Sequence, residues 1–270
     1  MSRTRPLSLI TGASAGIGAA FARQLATLGH DLVLTARRVD RLEALAGELR
    51  AKHGISVTVL PNDLADRGAP QALCDALQQR DLHVDWLINN AGYGVPGSFL
   101  ANDWKTHADF LQVLLTAPTE LAWLLLPGMR ERGYGRIVNM ASLAGHVPGT
   151  AAHTLYAASK AYLIKFSQSL ALENQVCGVH VCALCPGFTR SEFHDITGTR
   201  AMMNKLPAYM WQSAEKVVQQ GIAAVERGEA VYVTGHVNRA IKTMFKLMPD
   251  RLAMKISAKQ SKRYRAQDTA

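Results

Sequence analysis

The chain has 270 residues, 48% of them hydrophobic, and carries a formal net charge of +9. That length and apolar content suit one large domain with a filled core and exclude a chain that is disordered along most of its length. Basic charge alone is a generic signal, and with no recognisable binding module beside it no nucleic-acid partner is expected.

The opening MSRTRP passes straight into the apolar run Leu7 to Ile10, which leaves no room for a signal peptide's long apolar segment, so a cytoplasmic location is expected. Apolar, β-branched runs then alternate with helical patterns. The expected strands are Leu7 to Ile10, Asp31 to Thr35, Ser56 to Leu60, Trp86 to Asn89, Gly135 to Met140, Val179 to Leu184 and Ala230 to Val233. Between them, Gly16 to Leu28, Asp40 to Lys52 and, less cleanly, Ala69 to Arg80 repeat apolar residues at helical spacing. Longer helices are expected near Trp104 to Leu126 and Tyr156 to Asn174. Seven strands on this spacing predict an α/β fold, a doubly wound parallel sheet flanked by helices, in one domain over residues 1–236.

The stretch Leu111 to Met129 is strongly apolar, but Pro118, Glu120 and Pro127 interrupt it, so it is read as a buried or interface helix. Four cysteines, Cys74, Cys177, Cys182 and Cys185, suggest no disulfide framework. Cys182 and Cys185 form a CxxC inside an expected strand. Positions three apart there face opposite sides of the sheet, so no metal site is expected.

Three segments carry the chemistry. Directly after the first strand comes Thr11-Gly12-Ala13-Ser14-Ala15-Gly16-Ile17-Gly18, opening a helix. Glycines there allow a tight turn and close approach to a pyrophosphate, and a helix N-terminus offers free N–H groups to negative charge. At the end of the second strand stands Arg37-Arg38, where a dinucleotide fold preferring NAD usually has an acid. Two guanidinium groups at this place suit the extra 2′-phosphate of NADP. Finally, Ser142 ends a central strand, and fourteen residues later Tyr156 and Lys160 stand at i and i+4 on one helix face. Reduction of a carbonyl by hydride transfer needs a proton donor and a partner for the developing alkoxide, and Tyr156 and Ser142 supply these. An ammonium from Lys160 favours the phenolate of Tyr156.

Together with Asn89-Asn90-Ala91-Gly92 after the fourth strand and Pro186-Gly187-Phe188-Thr189 after the sixth, this set resembles the short-chain dehydrogenase/reductase family. The resemblance implies a Rossmann-like sheet and an NADP(H)-dependent oxidoreductase acting on a carbonyl or secondary alcohol. It also implies cofactor contacts from Gly12, Ser14, Ile17, Gly18, Asp63, Leu64, Asn90, Ala91, Gly92, Pro186, Gly187, Phe188 and Thr189. Asp63 would meet the adenine amine and Thr189 the carboxamide side. Tyr156 and Lys160 would touch the nicotinamide ribose region as well as serving the chemical step. One position departs from the family: Leu114 stands where an Asn usually helps hold a water in a proton relay through the lysine. A backbone carbonyl can take that place if the helix is locally opened.

Residues 190–211 match the family's substrate lid and include Phe193, Met202, Met203, Leu206, Met210 and Trp211, a set that suits an apolar, acyl-like ketone, aldehyde or 3-oxoacyl thioester. The alternative is a small helical hairpin packed on the core. From Val237 onward nine Lys and Arg face only Asp250 and Asp268. This basic extension, 237–270, is expected to be partly an amphipathic helix with an unstructured end. Ile241, Met244, Phe245 and Met248 lie on one helical stripe that either packs on the protein itself or touches a membrane surface or acidic partner. The family implies a homodimer or homotetramer through the helices carrying Leu114 and Tyr156. The competing reading is a cofactor-binding sensor or scaffold with weak catalysis, motivated by Leu114 and the basic tail.

Overall fold

A computed structural model describes residues 5–152, 154–190 and 207–265. The first strand β1 (Leu7–Thr11) is buried along its whole length and leads into helix α1 (Gly16–Thr27). There follow β2 (Asp31–Thr35), α2 (Val39–His53), β3 (Val57–Val59), α3 (Ala69–Gln78) and β4 (Trp86–Asn89). The second half contains α4 (Trp104–Leu111), α5 (Ala117–Glu131), β5 (Gly135–Met140), α6 (Thr154–Asn174) and β6 (Val179–Cys185). Two short strands, β7 (Thr189–Arg190) and β8 (Gln212–Ser213), precede α7 (Ala214–Glu226), β9 (Val231–Val233), α8 (His236–Leu247) and α9 (Asp250–Arg265).

Seven strands form one parallel sheet in the order β3-β2-β1-β4-β5-β6-β9, while β7 and β8 pair separately. The strand order reverses between β1 and β4, which register Ser8 to Trp86 and Ile10 to Ile88. A crevice outside the carboxyl ends of the strands opens at such a reversal, and ligands of open α/β sheets bind there.

Helix cover on both faces explains why the strands are mostly apolar on both sides. One face buries Ile10, Leu34, Val138 and Leu184 against α1, α2 and α7. The other buries Leu9, Val33, Leu87 and Ile137 against α3 and α5. Cys182 belongs to the first cluster and Cys185 to a separate one with Leu163 and Ile164, so the two thiols lie on opposite sides of the sheet. Burial pushes the Cys182 thiol up to about 12 and the Cys185 thiol higher still.

Most elements end within one or two residues of the expected spans, and two differences stand out. β3 is shorter by one residue at each end. The long helix near 104–126 runs on to Glu131, but a π-helical turn at Gln112–Thr116 divides it into α4 and α5. By length and composition the combined run could cross a membrane, yet it packs into the fold through Phe110, Leu114, Leu121 and Met129, all but fully buried.

Candidate active site

The glycine turn sits at the sheet's reversal point. Gly12 has φ +65°, in the region that disfavours a side chain, and a Cβ there would lie 2.9 Å from the Ala91 Cα. At Gly18 a Cβ would come within 2.3 Å of the Gly12 carbonyl oxygen. The two glycines therefore let α1 and the loop after β4 close on the turn. Thr11 Oγ1 accepts from the backbone N–H groups of Asn90 and Ala91, both at 3.0 Å, and the Asn90 side-chain amide donates to the Thr11 carbonyl at 2.9 Å. Asn90 and Ala91 are thus tied to Thr11 across the switch point, Asn90 also donates to the Gly12 carbonyl at 3.3 Å, and Gly92 follows facing Leu114.

Helix α1 starts after Ala15, which makes no side-chain cap and leaves the opening N–H groups to another acceptor. Beside that opening, Arg38 donates from Nε and Nη2 to Ser14 Oγ, each at 3.2 Å. Arg37 stands 3.8 Å from Asp63, its side chain 73% exposed. Asp63 Oδ1 also accepts from the Ala65 N–H at 3.1 Å, Leu64 is buried, and Ile17 packs on the core beneath the turn. An uncapped helix start with the Arg38 guanidinium next to it suits the phosphates of a dinucleotide. The residues present fit such a group.

Two strands further along, β5 delivers Ser142 just past its end. The Ser142 hydroxyl accepts from the Ala144 N–H at 3.1 Å and shares a hydrogen bond with the phenol of Tyr156. Tyr156 lies in the first turn of α6, half-buried. Burial raises its phenol above the ordinary value of 10, and the hydrogen bond from Ser142 opposes that rise. One turn on, Lys160 is buried, with Nζ 5.5 Å from the Tyr156 ring centroid and donating to the Met140 carbonyl at 2.6 Å. Desolvation lowers its ammonium to about 8 from 10.5, with the neighbouring Cys185 acting in the opposite sense. The three side chains come together on one rim of the crevice.

The wall facing them carries the departure from the expected pattern. Leu114 is buried at 1% exposure among Phe110, Val113 and Ala117, with Tyr156 and Ala91 packed against the same cluster. It lies inside the π-helical turn, where the Ala117 N–H reaches back five residues to the Gln112 carbonyl. Pro118 has no N–H, so the carbonyl four residues before it, that of Leu114, receives no ordinary helical bond from that position. Position 118 thus supplies no donor to the carbonyl of the residue whose side chain lacks a polar group.

Behind the rim runs a buried polar chain not anticipated from sequence. Asn89 donates to Asn139 Oδ1 at 2.9 Å and to the Pro118 carbonyl at 3.1 Å. Asn139 donates to Ser167 Oγ at 2.9 Å, and Ser167 donates to the Leu163 carbonyl at 2.7 Å. This chain keys β4, β5, α5 and α6 to one another. The signal for it was Asn139 itself, a polar residue in the middle of an apolar strand.

On the far side the Pro186 carbonyl accepts from the Leu143 N–H at 2.9 Å, placing Pro186-Gly187 against the Ser142 turn. Thr189 is buried and donates to the Gly187 carbonyl at 3.2 Å, while the Phe188 carbonyl accepts from the Gln212 N–H at 2.9 Å. The Phe188 and Trp211 rings lie 5.8 Å apart. Of the expected lid, Phe193, Met202, Met203 and Leu206 lie outside the described residues. A cleft adjoins Tyr156, lined by Val95, Phe99, His107, Phe110 and Leu155 among others.

A sequence model of the short chain dehydrogenase family matches residues 7–200. The chain is 38% identical over 240 residues to nodulation protein G of Rhizobium sp., covering 86% of this chain and 94% of that protein. It is 33% identical over 240 residues to the ketoacyl reductase HetN of Nostoc sp., covering 89% and 82%. Among solved structures, a short-chain dehydrogenase from Sphingobium yanoikuyae in complex with NADPH superposes with a TM-score of 0.79 at 33% identity, over 90% of this chain and 96% of that one.

Proposed function

Because this chain belongs to the short-chain dehydrogenase family and is an oxidoreductase of carbonyl or alcohol groups, we propose that it reduces an apolar or acyl-like carbonyl compound with NADPH. The observation that carries the reading is the convergence of Ser142, Tyr156 and Lys160 on one rim beside the glycine turn. NADP(H) is favoured by Arg38 beside the α1 opening, by Arg37 next to it in sequence near Asp63, and by the NADPH bound in the Sphingobium relative. A 3-oxoacyl thioester, ketone or aldehyde is favoured by the apolar cleft and by the ketoacyl reductase relative.

When bound, the dinucleotide supplies the hydride. Tyr156 then donates its proton to the carbonyl oxygen as negative charge develops there, a role its raised phenol pKa suits in the reductive direction. Ser142 holds the same oxygen by its hydroxyl. Lys160 lies one helical turn below Tyr156, and its ammonium stabilises the phenolate left behind. In this reading the Leu114 carbonyl, which Pro118 cannot reach with an N–H, takes the water-holding role of the family's Asn, so that protons reach Lys160 without it.

One kinetic series tests the reading: wild type, Tyr156→Phe and the double variant Arg37→Ala/Arg38→Ala, assayed over a broad carbonyl panel with NADPH and NADH. Tyr156→Phe should lose about 10²–10⁴ in kcat with NADPH affinity retained. The arginine pair should lose about tenfold or more in NADPH over NADH preference, as expected for charge-assisted bonds. Unchanged turnover in the first, or an unchanged preference in the second, rejects the corresponding role.

The competing reading, a sensor or scaffold, draws on Leu114, and robust turnover of any panel member removes it. We also read α5 and α6 as the contact face of a homodimer, since Trp123 and Leu172 are 72% and 76% exposed there. On α8, Met244 and Leu247 are exposed beside Lys246, which favours peripheral contact of the basic extension with an anionic surface in the cytoplasm.

A further inference from the structure

Helix α9 returns from the end of the chain to the segment that leads into the Tyr156 helix. Its inward stripe is Ala253, Ser257 and Ser261, spaced by four and all under a tenth exposed. Ser257 donates to the Gly149 carbonyl at 2.7 Å and lies 3.4 Å from that of Pro148, and Ser261 Oγ accepts from the Ala151 N–H at 3.0 Å. These bonds join residues more than 100 apart in sequence. The next residue, Ala152, holds φ +65°, a conformation costly for any side chain that persists only where its surroundings enforce it. Ala152, Thr154 and Leu155 then line the cleft beside Tyr156.

We propose that α9 is a positioning element for substrate: through Ser257 and Ser261 it fixes residues 148–151, the segment that leads into the Ala152, Thr154 and Leu155 side of the cleft, and so sets how bulky a carbonyl compound can reach Tyr156. The inference rests on the reductase reading. Two hydroxyls satisfy main-chain groups on both sides of Thr150, so neither the width of the wall nor the entry angle of α6 is left to the loop itself. The rest of the lining, Val95, Gly97, Ser98, Phe99, His107 and Phe110, is mostly apolar and suits hydrocarbon, with Ser98 and His107 its polar members. Selection by bulk is assigned to the side that α9 holds.

The test uses the full chain as Ser257→Ala/Ser261→Ala, assayed with a homologous series of carbonyl compounds of rising bulk. The ratio of kcat/KM for the bulkiest to the smallest substrate is expected to rise about fivefold, the equivalent of one lost hydrogen bond. KM for NADPH and turnover of the smallest substrate stay as in wild type. An unchanged ratio accompanied only by a lower thermal midpoint assigns α9 a purely structural role and overturns the proposal. A second measurement needs no turnover: amide exchange of the peptide spanning 147–155 should be faster in Ser261→Ala than in wild type, since the Ala151 N–H loses its acceptor. Equal exchange also overturns the proposal. If wild type reduces no substrate at all, the reductase reading fails while the exchange measurement still judges the anchor, and Ser261→Ala alone serves should the double variant not fold.

Discussion

Lys160 shows how the site opposes stability. Its ammonium is buried and titrates near 8 in the fold against an ordinary 10.5, so the folded state disfavours the charge that the proposed mechanism requires. The sign follows from linkage: the unfolded chain binds more protons between pH 8 and 10.5, so the penalty is complete below pH 8 and disappears above 10.5. Lys160→Met is therefore expected to abolish turnover yet raise stability at pH 7 by about 2 kcal/mol. Denaturant melts should show that advantage shrinking as pH rises from 8 to 10.5, and an advantage independent of pH would refute the assignment. In wild type, kcat/KM for reduction should decline as pH passes about 8, where the free enzyme loses the ammonium. None of this was legible in the YxxxK spacing, which places two side chains on one helix face but says nothing of desolvation.

At the scale of elements, the strands were legible because both faces of the sheet are covered, so that Leu7 to Thr11 and Val179 to Cys185 are mostly apolar, with Ser8, Thr11 and His180 as their polar members. The π-helical turn was harder: Gln112 to Thr116 keeps the apolar character of the helix around it, and Pro118 is the single mark of a broken ladder. If the Leu114 carbonyl holds the relay water, Leu114→Asn adds little, within about threefold in kcat, whereas Pro118→Ala closes the ladder and slows turnover. A tenfold gain in Leu114→Asn would mean that the missing amide does limit the enzyme. Helix α9 escaped a search for apolar periodicity because its inward stripe consists of Ala253, Ser257 and Ser261. Small residues and hydroxyls dock that helix through hydrogen bonds and close approach, a pattern that hydropathy does not register.

For the whole molecule, the exposed Trp123 and Leu172 on neighbouring helices, linked by the 3.0 Å contact of Thr119 Oγ1 with the Tyr162 hydroxyl, point to a second copy as their cover. Sedimentation should find a dimer that Trp123→Arg/Leu172→Arg converts to monomer, and a monomeric wild type would remove this face from consideration. The bonds between Thr11 and the Asn90-Ala91 loop span about 80 residues of sequence, and that separation has a consequence in time. Contacts so distant along the chain form after local helices, because closing the intervening loop costs entropy before any bond rewards it. During refolding, helical circular dichroism should recover ahead of NADPH binding, and simultaneous recovery would contradict this order. The newly made chain would then pass through an interval in which it is already compact but cannot yet hold its cofactor, so cofactor added at the start of refolding would stabilise the finished fold without hastening its first steps.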